Sequence, residues 1–321
     1  ALAEEHLRSE YRTVVIGDAQ VLSRAVELTG CGLSVRRLAR VDEAGTDPGL
    51  LYVLDLANVS MSEFRHGSLS AACGRAAFES IEQAIHLAMA GEVDAVVTAP
   101  INKEALRLAG VSYAGHTEIF ADFTGTRDYA MMLVLDSLRV VHVSTHVSLR
   151  EACEAVTRDR VLRVIELADS ALKQIGLERP RIAVAGLNPH AGENGLFGTE
   201  EIEQIAPAVQ IVRERGGNIH GPLPPDTVFA RAASGEFDCV VAMYHDQGHL
   251  PVKMVGFAFD RSGAEGADIR GINVTLGLPI IRTSVDHGTA FELAGTGTAS
   301  AASMVEAIRY AALLAGTAET D

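Results

Sequence analysis

Four apolar runs in this sequence end in polar clusters rich in groups that bind metals, move protons or grip anions. DAVVTAPINK ends at Pro100, Asn102 and Lys103, RVVHVSTH at His146, RIAVAGLNPH at His190, and DCVVAMYHDQGH at His245, Asp246 and His249. Taken singly, a histidine after a strand serves as a hydrogen-bonded structural residue as readily as a metal ligand, and the separations of His146, His190 and His245 match no local zinc motif. Their repeated position says more. Open parallel sheets bind ligands beyond the carboxyl ends of their strands, so strand-end imidazoles can converge. Three neutral imidazoles suit a divalent transition metal, with positions left for substrate oxygens.

Further polar groups sit in YAGHTE, where Gly115 lets the backbone turn and His116 and Thr117 stand side by side. A helix start capped by Thr117 is an equal reading. GPLPPDTVF supplies Asp226 after a stiff proline turn, as a fixed carboxylate or as a helix cap. Lys253, Asn273 and Arg282 lie in HLPVK, GINVTLG and PIIRTS; a cation embedded in apolar sequence needs a partner, either a bound carboxylate or phosphate or a structural salt bridge. SVDHGTAFELAGTG places His287 and Gly288 before a short apolar turn, then Gly295 and Gly297. No GxGxxG follows a strand, so a Rossmann site is not supported, while a nucleotide held by a glycine-bearing loop stays open.

The elements that must position these groups follow from hydrophobic period. Short β-branched runs at residues 13–16, 50–55, 95–98, 131–135, 140–144, 182–185 and 239–243 predict strands. Apolar spacing predicts helices over 19–28, 69–90, 158–175, 200–215 and 299–315. Their alternation predicts parallel βαβ units and an α/β fold. DRSGAEGADIR, residues 260–270, reads as an exposed loop insertion. At about 150 residues per domain, 321 residues suggest two domains.

Lys and Arg number 27 against 42 Asp and Glu, a net charge of −15 that disfavours nucleic acid or an anionic membrane as partner. An anionic small substrate then needs a local basic pocket. The widely spaced Cys31, Cys73, Cys153 and Cys239 form no CxxC and are expected as buried thiols in a reducing cytoplasm. No apolar stretch reaches the length of a membrane helix, so a soluble cytoplasmic protein is expected.

GHTE, STH, GLNPHAGENGLFGTEEI, GPLPPDTVF, AMYHDQGH and GINVTLGLPIIRTSVDHGTAFELAG together resemble the 4-hydroxythreonine-4-phosphate dehydrogenase family of vitamin B6 synthesis. The match spans about Gly91 to the C-terminus. RDYAMMLVLDSLRVVHVSTH, AGENGLFG and QGHLPVK bring it nearest to the branch resembling D-threonate or D-erythronate 4-phosphate dehydrogenases. The resemblance implies two α/β/α domains with a cleft between them, like the isocitrate and isopropylmalate dehydrogenases: residues 1–125 with 285–321, and residues 126–284. It also implies a homodimer with a shared active site. Carried over by position, His146, His190 and His245 would bind a divalent metal (Zn, Mg, Mn or Co) using both subunits. His116, Thr117, Lys253, Asn273 and Arg282 would bind substrate, and NAD would lie near His287, Gly288, Thr289 and Gly295. Family members open on a GDPAGIGPE-like strand and turn that this chain lacks, so the family's first strand is expected to be missing from it. The 260–270 insertion, between Lys253 and Asn273, is a second departure.

The resemblance further implies NAD-dependent oxidation of a secondary alcohol on a phosphorylated four-carbon acid, followed by loss of CO2. A metal held by three histidines lowers the hydroxyl pKa and stabilises an enolate. Lys253, Asp246 and Asp226 are the candidate catalytic groups, the first two nearest for proton transfer. A metal-dependent hydrolase and a non-catalytic binding protein are the rival classes, and 4-hydroxythreonine 4-phosphate is the rival substrate.

Overall fold

In the computed structural model, residues 1–113, 115–258 and 270–316 are described, so the insertion expected at 260–270 lies almost wholly outside the described residues. The chain divides into two compact units, Ala1–Thr126 with Leu278–Ala315, and chiefly Arg127–Gly277. Unit 1 begins with α1 (Glu5–Glu10), β1 (Val15–Gly17), α2 (Ala19–Thr29), β2 (Ser34–Leu38) and β3 (Leu50–Asp55), and goes on through α3 (Ala71–Met89), β4 (Ala95–Thr98), α4 (Lys103–Leu108) and α5 (His116–Phe123). Unit 2 follows as β5 (Ala130–Leu135), β6 (Leu138–His142), α6 (Leu149–Ala155), α7 (Arg158–Gln174), β7 (Ile182–Ala185), α8 (Ala206–Glu214), β8 (Ile219–Leu223), α9 (Pro225–Ala233), β9 (Cys239–Ala242), α10 (His245–Ala258) and β10 (Ile272–Leu276). The chain then returns to unit 1 with β11 (Ile281–Val285) and α11 (Ala302–Leu314).

In unit 1, β1, β3 and β2 form a parallel sheet in that order, and β4 pairs in parallel with β11, Thr98 opposite Ser284. Its core gathers Ile85, Leu106, Ile119 and Phe120 behind β4. Asp18 caps α2 by accepting from the amides of Gln20 and Val21, and Gly30 ends it in the left-handed region that only glycine adopts freely.

In unit 2 the strands run in the order β10, β5, β6, β9, β7, β8. Strands β6, β9, β7 and β8 are mutually parallel, and β7 and β9 are buried throughout, which explains their unbroken apolar sequence. Strand β5 stands outside the expected parallel βαβ units: it is antiparallel to both β6 and β10. The reason is local. Only Asp136 and Ser137 separate β5 from β6, with Asp136 at φ 51°, and a two-residue turn can join only antiparallel strands. The core here is built on Leu133, Val140, Ala183, Val240 and Val252.

Of the remaining expectations, that of the helix over 200–215 holds and that of the cysteines needs correction. The helix expected over 200–215 forms, its first turn a π-type turn at Glu201–Ile205 that runs without a break into α8. Of the cysteines only Cys239 is buried, and Cys153 is exposed, though all four are free thiols. Among the described residues, no helix is long and apolar enough to cross a membrane.

Candidate functional site

Unit 2 sets three histidines just past the carboxyl ends of adjacent parallel strands: His146 after β6, His245 after β9 and His190 after β7. His146 and His245 come together, their ring centroids 5.8 Å apart. Asp246 Oδ1 lies 2.7 Å from His245 Nδ1, a partner that orients the ring. His249, one helical turn on, stacks on His245 at 3.6 Å and 11° and contacts the buried His142 at 4.8 Å. Lys253 continues the i, i+4, i+8 row along α10, half-buried. His190 stands apart, exposed and against Phe197 at 6.4 Å.

The His146–His245 pair, with its carboxylate backing, fits two corners of a divalent transition-metal site. Among the described residues, no three His, Cys, Asp or Glu side chains are grouped to hold a metal. Asn273 sits in β10 opposite Leu133, its buried Oδ1 making no hydrogen bond among the described residues. Asp226 is not a cap. It is exposed in the first turn of α9, behind Pro224 and Pro225, where an acidic group favours the helix start.

Unit 1 holds a buried cationic group. Arg282, on β11, is only 3% exposed; its Nη2 donates to Thr98 Oγ1 at 2.7 Å, and its guanidinium lies 5.5 Å from the centre of the Phe120 ring. Burial pulls Arg282 down to about 10, with the nearby Glu118 charge opposing. His116 opens α5. Burial, then the Arg282 charge, pushes it down to about 3, so it is a neutral imidazole at working pH. Thr117 does not cap this helix, because Gly115 occupies the cap position and leaves Thr117 in the first turn. A groove of about 530 Å³ is lined by Gly67, Ser68, Leu69, Asn102 and Phe291. Gly295 lies against His66, where a Cβ would come within 2.9 Å of the ring. His287 and Gly288 are exposed on the same segment, His287 Nδ1 lying 2.9 Å from the Gly288 carbonyl.

Residues 9–311 match the family described as pyridoxal phosphate biosynthetic protein PdxA. The chain belongs to the PdxA family. Among PdxA relatives, the D-threonate 4-phosphate dehydrogenases of Salmonella typhimurium and Pectobacterium atrosepticum are each 47% identical to it, covering 98% of this chain and 93% of theirs. A solved 4-hydroxythreonine-4-phosphate dehydrogenase from Klebsiella pneumoniae is 45% identical, with a TM-score of 0.83 over 98% of this chain and 95% of its own. This PdxA chain is therefore a dehydrogenase, an oxidoreductase acting on a hydroxyl group.

Two groups that shape the site escape a reading of local sequence. Gln247 is buried: its Oε1 accepts from the Met243 amide at 2.7 Å and its Nε2 donates to the Gly186 carbonyl at 2.8 Å, tying the ends of β9 and β7 together. Thr98 orients Arg282 from a residue 184 positions away. Gln247 lies inside AMYHDQGH and Thr98 inside DAVVTAPINK, so both runs drew notice for other residues, and only the fold shows what these two hold.

Proposed function

We propose that this protein oxidises a secondary hydroxyl of a 4-phosphorylated four-carbon hydroxy acid, D-threonate or D-erythronate 4-phosphate, with NAD as hydride acceptor, and that the resulting β-keto acid loses CO2. The observation that carries the reading is the set of relatives at 47% identity, matched over almost their whole length, that are named D-threonate 4-phosphate dehydrogenase. Arg282 and the neutral His116 support it: a desolvated guanidinium grips an oxyanion strongly, and an uncharged imidazole beside it does not compete. Thr117, Lys253 and Asn273 complete the proposed substrate set. Lys253 and Asp246 are the groups proposed to take the hydroxyl proton.

His146, His190 and His245 are proposed to hold a divalent metal, which when bound would lower the pKa of the substrate hydroxyl. Because His190 stands apart from the other two, the third corner is assigned to a second copy of the chain. Exposed Val147, Leu149, Leu196, Phe197, Leu250 and Met254 follow the three histidines in sequence, the apolar content expected of a homodimer contact. The cofactor is assigned to the segment His287, Gly288, Thr289 and Gly295, beside the groove that Phe291 lines. The two units are proposed to be the two α/β domains of an isocitrate-dehydrogenase-like enzyme acting in the cytoplasm.

A second reading, 4-hydroxythreonine 4-phosphate as substrate, is favoured by the name of the solved Klebsiella pneumoniae structure. NADH formation from both compounds, at matched metal and pH, separates the two. The expected result is a higher kcat/KM for the hydroxy acid; a higher value for the amino acid overturns the substrate assignment, and no NADH from either overturns the reading altogether.

A further inference from the structure

A buried carboxylate holds the turn that carries His190, and the proposed chemistry makes no use of it. Glu201 is 3% exposed. Its Oε1 accepts from the backbone amides of Leu187 and Asn188, both at 2.7 Å, and its Oε2 accepts from the Asn188 side-chain amide at 3.0 Å. Glu200 accepts from the same side-chain amide at 2.7 Å. The chain is thus gripped immediately before Pro189 and His190.

The same carboxylate restricts what the chain can do on either side. A Cβ at Gly186 would come within 3.0 Å of Oε1, and one at Gly192 within 2.6 Å of Oε2. Around Gly192, which itself has φ 80°, residues His190, Ala191, Glu193 and Asn194 take φ of 53°, 54°, 44° and 55°. L residues avoid this left-handed region, and so many together persist only where their surroundings over-determine them. Charge-assisted bonds from a carboxylate to backbone amides are among the stronger means of doing so.

We propose that Glu201 is the positioning residue for His190: its buried carboxylate anchors the left-handed turn and so sets where the imidazole is presented. Its bearing on metal binding rests on the ligand role proposed for His190; the anchoring itself does not.

The test uses the full chain and the variant Glu201→Gln, which keeps the size of the side chain but turns an amide donor toward donors. In hydrogen exchange followed by mass spectrometry, the Leu187 and Asn188 amides are expected to exchange about tenfold faster or more, with α7 unchanged. In a zinc titration without NAD or substrate, apparent affinity is expected to fall about tenfold or more, toward that of His190→Ala. Gly192→Ala, which drives a Cβ at Oε2 without changing charge, is expected to reproduce both effects.

Unchanged exchange at Leu187 and Asn188 in Glu201→Gln overturns the proposal. So does exchange that rises equally through α7, because the carboxylate would then serve unit 2 as a whole. Zinc affinity that is kept in Glu201→Gln but lost in His190→Ala also overturns it. If zinc affinity survives in His190→Ala while local exchange rises in Glu201→Gln, the anchoring is supported and the ligand role of His190 is refuted.

Discussion

Gly248→Ala tests how closely α10, the helix that begins at His245, is seated on β6. Helix propensity alone favours alanine by about 1 kcal/mol. Packing opposes it: the new Cβ would lie 2.3 Å from His142 Nε2, 2.7 Å from Val140 Cγ1 and 3.0 Å from His142 Cδ2. Carbon atoms rest at about 3.5–4.0 Å, so the closest overlap exceeds an ångström. Val140 and His142 are wholly buried on β6, which is paired with β5 on one side and β9 on the other, so neither can retreat without moving the sheet. Overpacking costs about 1–3 kcal/mol, and an overlap of this depth belongs at the upper end. The expected net loss is about 2 kcal/mol, or about 4–8 °C in Tm for a unit of this size. Circular dichroism with urea reads it directly. In a His142→Ala background, where two of the three contacts are gone, the same substitution is expected to cost little, giving a coupling of about 1–2 kcal/mol. A stabilised Gly248→Ala protein, or an equal cost in both backgrounds, would refute the reasoning.

Acid stability tests His116. Its folded pKa of about 3 lies below the ordinary 6.5, so the unfolded chain takes up a proton that the folded one refuses. Stability is full above about pH 6.5 and falls by up to about 1.4 kcal/mol per pH unit toward pH 3, and His116→Gln is expected to flatten that limb in urea midpoints. Arg282→Lys keeps the charge but loses the planar fork that reaches Thr98, and is expected to raise KM for the phosphorylated acid about tenfold or more; an unchanged KM removes Arg282 from the substrate site. Mixing inactive His146→Ala and His190→Ala proteins is expected to restore about a quarter of the activity, since about half the dimers are hybrids with one intact site each. No recovery on mixing refutes the shared site.

Where period dominates, sequence and structure agree. Leu50–Asp55, Ala95–Thr98 and Ile182–Ala185 form as expected, because β-branched runs between turn residues have few other solutions. Strand β2 is hidden by Arg36 and Arg37, and β8 contains Gly221 and Pro222, so neither reads as a strand by composition. The meeting of His146 with His245 follows from the adjacency of β6 and β9, which strand order alone decides. Glu201 and Gln247 act through the backbone of distant loops, and no local pattern encodes a partner chosen by the fold.

Unit 1 is closed by parts of the chain that are made far apart in time. Strand β4 has β11 as its partner, and Arg282 lies 184 residues beyond the Thr98 that orients it. At ribosomal speeds of about 5–20 residues per second, Thr98 emerges about ten seconds or more before its guanidinium partner exists. Unit 2, from Arg127 to Gly277, is synthesised within that interval. The half of the protein that carries the histidine row is therefore complete before unit 1 is, and the Arg282–Thr98 contact is among the last to form. A chain released early would present folded imidazoles without the buried guanidinium.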